Sequence, residues 1–512
     1  MFPLFRVLSV TVAAACLTAC GGGHDNGTSS APTNSQPARG QLVGTPTQTG
    51  SYSSSDLLSE LTADPLGKLL LQLTFSPVCT VTVYHLEYQT VGGAGEATTA
   101  SAALMVPSGS NLSCQGTHPV VMYAHGTNTT KSFNMAALAG NSEALLMAAV
   151  FASQGYIVVA PNYAGYDTST LGYHPYLNAD QQSKDMIDAL AAAQSAFKTE
   201  SASSNGKLFI TGYSQGGFVA MATQRAMQTA GTTVTAAAPM SGPYALAAFG
   251  DAIFEGEVNT SGPPNLNLVV TSYQHSYSNV YSSPTDVYET QYAQTADELL
   301  PSSVGISTVY SQGQLPRTAL FNSTPPSSSY AAMTPATTPA NLAKIFAQGF
   351  GTNNLVTNAY RLSYLQDAGT NPDGGFPTAT TGVPAAAPAN ALRQDLKTND
   401  LRNWTPTAPV LLCGGDSDPT VFYFNTQLMQ TYWTAINPSN TVTYLDVDSS
   451  VGSNDPYADE KNGFAAAKTA VAIAAVAGGA SDGGAMAVLQ DYHAGLVPPF
   501  CIFAVKSFFD GH

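Results

Sequence analysis

Basic residues are scarce in this chain: Lys and Arg number 17 of 512, against 33 Asp and Glu, for a formal net charge of −16. Phosphate contacts need Lys and Arg, so so thin a supply argues against nucleic acid as a partner. The acidic balance follows from missing cations and selects no substrate. Long apolar runs are lacking too. Val7–Ala15 is too short to cross a bilayer, and the Ala-rich Phe464–Ala480 is short and carries Lys468. The acidic segment 448–463 holds Asp455, Asp459 and Glu460 but not EF-hand spacing. It reads as a solvated loop, not a Ca²⁺ site. No metal or cofactor is called for by any motif.

What is present is a globular composition, 44% hydrophobic and 10% charged, long enough for one large domain with insertions or for two domains. The first 20 residues read as a signal peptide: Arg6 opens it, Val7–Ala15 is its apolar core, and Leu17-Thr18-Ala19-Cys20 closes it. That ending resembles the lipobox of bacterial lipoproteins. The resemblance implies that Cys20 is lipidated and becomes the first mature residue, anchoring an exported protein to the bacterial outer membrane or cell surface. Ordinary secretion is the alternative. Residues 21–55 are rich in Gly, Ser, Thr and Pro and read as a flexible tether. Beyond the leader's Cys16 and Cys20 remain Cys79, Cys114, Cys413 and Cys501, an even number suited to an oxidising compartment. Four cysteines allow three pairings. Cys79–Cys114, near in sequence, and Cys413–Cys501, tying a core strand to the last helix, are favoured.

The stretch that organises the chain is Lys207–Arg225. Lys207–Thr211 reads as a buried strand, Gly212-Tyr213-Ser214-Gln215-Gly216 as a tight turn, and the residues after it as a helix. Strand, Gly-x-Ser-x-Gly, helix is the nucleophile elbow of α/β-hydrolases. Gly212 and Gly216 leave room where side chains would strike the neighbouring strand and helix. The helix start aims N–H groups at the place where an oxyanion would form. A second match, Gly479-Ala480-Ser481-Asp482-Gly483, follows a helix-like run instead of a strand, so Ser214 is preferred to Ser481.

Around this elbow the pattern is strand and helix in alternation. Leu57–Leu73 is a helical segment broken at Pro65; Thr80–Thr90 and Thr98–Val106 form a hairpin-like pair; Pro119–Ala124 and Gly155–Pro161 are buried strands. Ala179–Lys198 is an amphipathic helix, and Val234–Met240, Ala408–Cys413 and Val442–Val447 are further strands. The expected fold is α/β, an α/β-hydrolase with a mostly parallel central sheet and a large inserted cap. Core residues 56–244 and 406–512 flank the cap, 245–405.

A serine hydrolase needs a base and a carboxylate within reach of the nucleophile, in the chain order Ser, Asp or Glu, His. His493, before the terminal helix, is the base, placed in a loop. The acid is Asp418 or Asp416. Gly415-x-x-Asp418-x-x-Val421 resembles the acid loop of the fold, and Asp418 is chosen. His125-Gly126-Thr127, at the end of a strand, resembles the oxyanion loop of lipases and esterases. The N–H groups of Thr127 and Gln215 are the expected oxyanion donors, with His125 fixing the loop. His174-Pro175 reads as local packing.

HG at 125–126, GYIVVAP-NYAGY-HPYL, GYSQGG, GDSDPTV and the ending DYHAGLVPPFCIFAVKSFFDG together resemble secretory lipases of the Candida antarctica lipase A kind and their bacterial relatives. The resemblance covers most of residues 75–512. It implies a lidded serine esterase or lipase acting on a carboxylic ester without a cofactor, and a monomer is expected. The 75-residue interval from Asp418 to His493 and a cap poor in long apolar helices depart from the pattern. A polyester depolymerase or feruloyl-type esterase would use the same three residues. A serine peptidase lacks a visible propeller domain, and a non-catalytic binding module would have lost one of the three.

Overall fold

A computed structural model describes residues 38–73, 75–373 and 383–512. The leader with Cys20, and the tether up to residue 37, lie outside them. The frame is a nine-stranded sheet in the order β1-β2-β3-β5-β4-β6-β7-β10-β11. Its strands are β1 (Leu42–Tyr52), β2 (Thr80–Val91), β3 (Ala97–Ser108), β4 (His118–Ala124), β5 (Ile157–Pro161), β6 (Ser204–Tyr213), β7 (Ala236–Met240), β10 (Val410–Gly414) and β11 (Val442–Asp446). A separate short pair, β8 (Phe321–Asn322) and β9 (Phe350–Gly351), lies in the insertion. β1, β2, β3 and β5 pair antiparallel. From β5 to β11 every pairing is parallel.

The central strands are apolar throughout because both faces are covered. Alternate residues of β4 serve the two faces: Val120, Met122 and Ala124 join one core, Val121 and Tyr123 the other. The first core is closed by α4 (Ala179–Ala196) and α5 (Gln215–Thr229). The second is closed by α1 (Ser54–Ala63), α2 (Pro65–Leu71), α3 (Ser142–Val150) and the terminal helix Val497–Asp510. Helix starts follow local chemistry. Asn141 accepts from the Ala144 N–H at 3.0 Å and Asn178 from that of Gln181 at 3.0 Å, each supplying a partner that the first turn lacks.

The expected tether, 21–55, is corrected by the structure from Leu42 onward. Leu42–Tyr52 is an edge strand paired with β2, with register shifts at Val43/Thr47 and Gln48/Gly50, and Ser53 caps α1. An edge strand needs only one neighbour's backbone and tolerates Thr, Gln and Ser on its outer side, so its composition looks like a linker. Between β7 and β10 lies the insertion, with α6 (Leu246–Phe254) and α7 (Gly262–Tyr277) its first helices. The expected loop 448–463 is helical from Ala458, where the helix Ala458–Ala477 begins; its Asp455 bonds Lys461 at 2.6 Å. Disulfides join Cys79 to Cys114 and Cys413 to Cys501. The second ties β10 to the terminal helix. No helix among the described residues is long and apolar enough to cross a membrane.

Candidate active site

β6 ends at Tyr213, and the chain turns into α5 through Ser214 with φ 59° and ψ −121°. A non-glycine residue adopts that backbone only where its surroundings force it, and the resulting strain holds the Ser214 hydroxyl above the strand end. The flanking glycines have no freedom to change. A Cβ on Gly216 would lie 1.9 Å from the Ala124 carbonyl oxygen, and one on Gly212 2.3 Å from that of Gly216. The turn is this tight because β4, β6 and the start of α5 meet there.

The structure brings Ser214, His493 and Asp418 into one hydrogen-bonded chain. Ser214 Oγ is 2.8 Å from His493 Nε2, and His493 Nδ1 is 2.6 Å from Asp418 Oδ2. Asp418 is buried, and its Oδ1 accepts from the N–H groups of Thr420 at 2.8 Å and Val421 at 3.0 Å. With Oδ1 so held, Oδ2 faces the imidazole, which fixes the proton on Nδ1 and leaves Nε2 to accept from the serine. Asp416 is exposed, and its N–H is turned to Asp446. Ser481 is exposed between two helices and lines no part of the cavity described below. His493 differs from its expected setting. It lies in a π-helical turn, Tyr492–Leu496, between the helices Ala485–Asp491 and Val497–Asp510, not in a loop. The wide turn swings its side chain off the helix line towards Ser214, and the Tyr213 hydroxyl donates to its carbonyl at 2.5 Å.

Gln215 is the first residue of α5, so its N–H has no intrahelical acceptor. Thr127 and Gln215 line the same cavity as Ser214. The Thr127 hydroxyl pairs with that of Tyr176 at 2.8 Å. Among the described residues, no acceptor is bonded to either N–H. The neighbouring Gly126 N–H is not free: it donates to Glu143 Oε1 at 2.8 Å, which also accepts from the Tyr123 hydroxyl at 2.6 Å. Burial raises the Glu143 carboxyl above its usual range. His125 is turned away from the cavity. Its Nδ1 lies 2.7 Å from the Gly126 carbonyl and its Nε2 3.2 Å from that of Asn162, its ring stacks on Tyr163, and burial lowers it to about 4, so it is a prop for the loop. His174 is likewise buried and lowered to about 3. Its Nδ1–H donates to Ala164 O at 2.9 Å, and its Nε2 accepts from the Gln215 side chain at 2.7 Å. The roles of Glu143, Tyr176 and the His174–Gln215 contact were not legible in the sequence: Glu143 belongs to no motif, and the HPYL stretch that holds His174 and Tyr176 meets the site only through space.

Above the serine lies a cavity of about 680 Å³. Its floor is formed by the elbow, Thr127 and His493; its upper walls come from the insertion, including Leu246, Phe249, Ile253 and Leu266. That volume suits a drug-sized ligand held mainly by apolar contact.

Comparison with known proteins agrees with this architecture. A model of the prolyl oligopeptidase family matches residues 143–292. The match takes in Ser214 but neither Asp418 nor His493, so it does not choose between esterase and peptidase. No curated protein matches the chain. Among solved structures, the rice cell wall degrading esterase LipA from Xanthomonas oryzae is 25% identical with a TM-score of 0.66, over 92% of this chain and 98% of that one. A Legionella pneumophila protein, 20% identical over 80% of this chain and 91% of that one, has a TM-score of 0.60 and speaks to fold alone. Candida antarctica lipase A in its closed state is more distant, at 12% identity and a TM-score of 0.47 over 80% of this chain and 77% of that one, and carries no argument. The fold is that of the α/β-hydrolases, and the chain is a hydrolase of that type related to LipA.

Proposed function

We propose that the protein is an exported serine esterase or lipase in which Ser214, His493 and Asp418 are the catalytic residues. The observation that carries this reading is the unbroken contact from Ser214 Oγ through His493 to Asp418 at a strained elbow. Ser214 Oγ attacks the ester carbon as its proton passes to His493 Nε2. The tetrahedral oxyanion is held by the N–H groups of Gln215 and Thr127. Its collapse breaks the bond to the alcohol, which leaves with the proton from His493. Water then gives a proton to His493 as its oxygen bonds to the acyl carbon; when this second tetrahedral species collapses, the acyl–Oγ bond breaks, His493 returns the proton to Ser214 Oγ, and the acid is freed. Every step is met by groups of this chain.

Ester cleavage is favoured over peptide cleavage by the likeness to a protein described as an esterase. The insertion acts as a cap, and its apolar walls suit an acyl or alcohol portion larger than acetyl. A panel of p-nitrophenyl esters from acetate to palmitate, with one hydroxycinnamoyl ester, one polyester film and one peptide amide, separates the readings. Turnover of esters alone supports the esterase, and activity confined to acetate and butyrate would reject a true lipase. Ser214→Ala should abolish turnover; retention of p-nitrophenyl ester hydrolysis would reject the assignment. Two disulfides suit an oxidising compartment. Lipid labelling of the wild type that disappears in Cys20→Ala tests the anchor, and unchanged labelling refutes it.

A further inference from the structure

We infer that Asn259 and Thr260, in the loop between α6 and α7 of the insertion, are positioning residues that hold Asp418 in place. The inference rests on the reading of Asp418 as the catalytic acid. Three hydrogen bonds cross from this loop to the segment just after Asp418. Asn259 Nδ2 donates to the Thr420 carbonyl at 2.7 Å, the Thr260 N–H donates to the Pro419 carbonyl at 3.0 Å, and the hydroxyls of Thr260 and Thr420 are bonded to each other. Thr420 is one of the two residues whose N–H groups hold Asp418 Oδ1. The same peptide unit thus meets the acid on one side and the insertion on the other.

The opposite end of the acid loop is fixed by the core. The Asp416 N–H donates to Asp446 Oδ1 at 3.1 Å, and the Ser417 N–H to the Tyr492 hydroxyl at 3.2 Å. No such core contact reaches Pro419 or Thr420 among the described residues; the bonds that leave this end of the loop go to Asn259 and Thr260. Asn259 is buried, and both residues line the cavity above Ser214. The insertion therefore does more than roof the cavity. Its first loop sets the orientation of the carboxylate that orients His493. Loss of these bonds frees the Thr420 peptide to rotate, and the acid follows it, while the apolar walls Leu246, Phe249, Ile253 and Leu266 are not substituted.

The test is steady-state kinetics on a p-nitrophenyl ester, with each variant normalised to the fraction of sites titrated by a fluorophosphonate. Asn259→Leu/Thr260→Val removes the side-chain bonds at nearly constant volume. Its kcat per titrated site should fall about 10–100-fold, as expected for a misplaced catalytic group, with KM changed less than about threefold. Thr260→Ser, which keeps the hydroxyl, should stay within about threefold of wild type. The inference is overturned if the double variant keeps its kcat per site, if the loss falls on KM, or if Thr260→Ser loses as much as Thr260→Val. Should the double variant not fold, Thr260→Val alone is read by the same criteria. Turnover by Ser214→Ala would instead strike the reading of the site itself, so the two failures are distinct.

Discussion

Replacing Asp418 by Asn should nearly abolish turnover while leaving the fold intact, for a reason visible in its contacts. Asp418 Oδ1 is held by two backbone N–H groups, and Oδ2 lies 2.6 Å from His493 Nδ1. In Asp418→Asn the amide oxygen keeps the place of Oδ1, since flipping would leave two buried N–H groups without an acceptor at about 1–3 kcal/mol each. The amide nitrogen then faces Nδ1 with its own hydrogens. Nδ1 is forced to accept, the ring proton moves to Nε2, and it points at Ser214 Oγ, which therefore cannot surrender its proton. In a triad this wrong tautomer costs about 10⁴-fold in kcat, or about 5 kcal/mol of barrier. The assay is kcat on p-nitrophenyl butyrate at pH 8, with circular dichroism to show that the variant is folded. Asp416→Asn, whose side chain is exposed, serves as control and should retain wild-type activity. A folded Asp418→Asn variant within tenfold of wild type, or an inactive Asp416→Asn, would refute the reasoning.

Gly216→Ala places a Cβ against the Ala124 carbonyl. It should destabilise the protein by about 3 kcal/mol or more, whereas Gly172→Ala, where nothing lies within 4 Å, should be neutral in the same urea titration. Removing the Cys413–Cys501 bridge, with its separation of 88 residues, should cost about 4 kcal/mol, read as a lower denaturant midpoint for Cys413→Ser/Cys501→Ser; an unchanged midpoint contradicts this. Burial holds His125 at about 4 and His174 at about 3, below the value of about 6.5 in an unfolded chain. The unfolded state then binds more protons, so stability falls as pH drops from about 6.5 towards 3, by several kcal/mol for the pair. Replacing His174 by Gln should flatten that acid-side slope in denaturant melts, and an unaltered slope would show that His174 is not its source.

The parts legible in the sequence are those whose chemistry is local. The elbow is a strand, a turn and a helix within twenty residues, and its glycines are dictated by contacts of the turn itself. The Asp418 loop carries its glycine and valine at fixed offsets, and the buried strands β4 to β7 and β10 announce themselves as short apolar runs. The rest depends on what meets through space. β1 reads as a tether because an edge strand with one neighbour needs no apolar alternation. His493 reads as a loop residue because Gly495 and the nearby prolines suggest a break, while the chain instead widens a helix by one turn. Glu143 is 17 residues from Gly126, and Asn259 is 161 from Thr420; no periodicity links such pairs, and only the folded sheet and the insertion bring them together.

The most direct measurement of the central claim is the mass of the protein after reaction with a fluorophosphonate ester, followed by peptide mapping. Ser214 as a nucleophile activated by His493 predicts a single adduct on the peptide containing Ser214, formed in parallel with loss of esterase activity and absent from His493→Ala over the same interval. An adduct on Ser481 or elsewhere that tracks the loss of activity, or full inactivation with Ser214 unmodified, would contradict it.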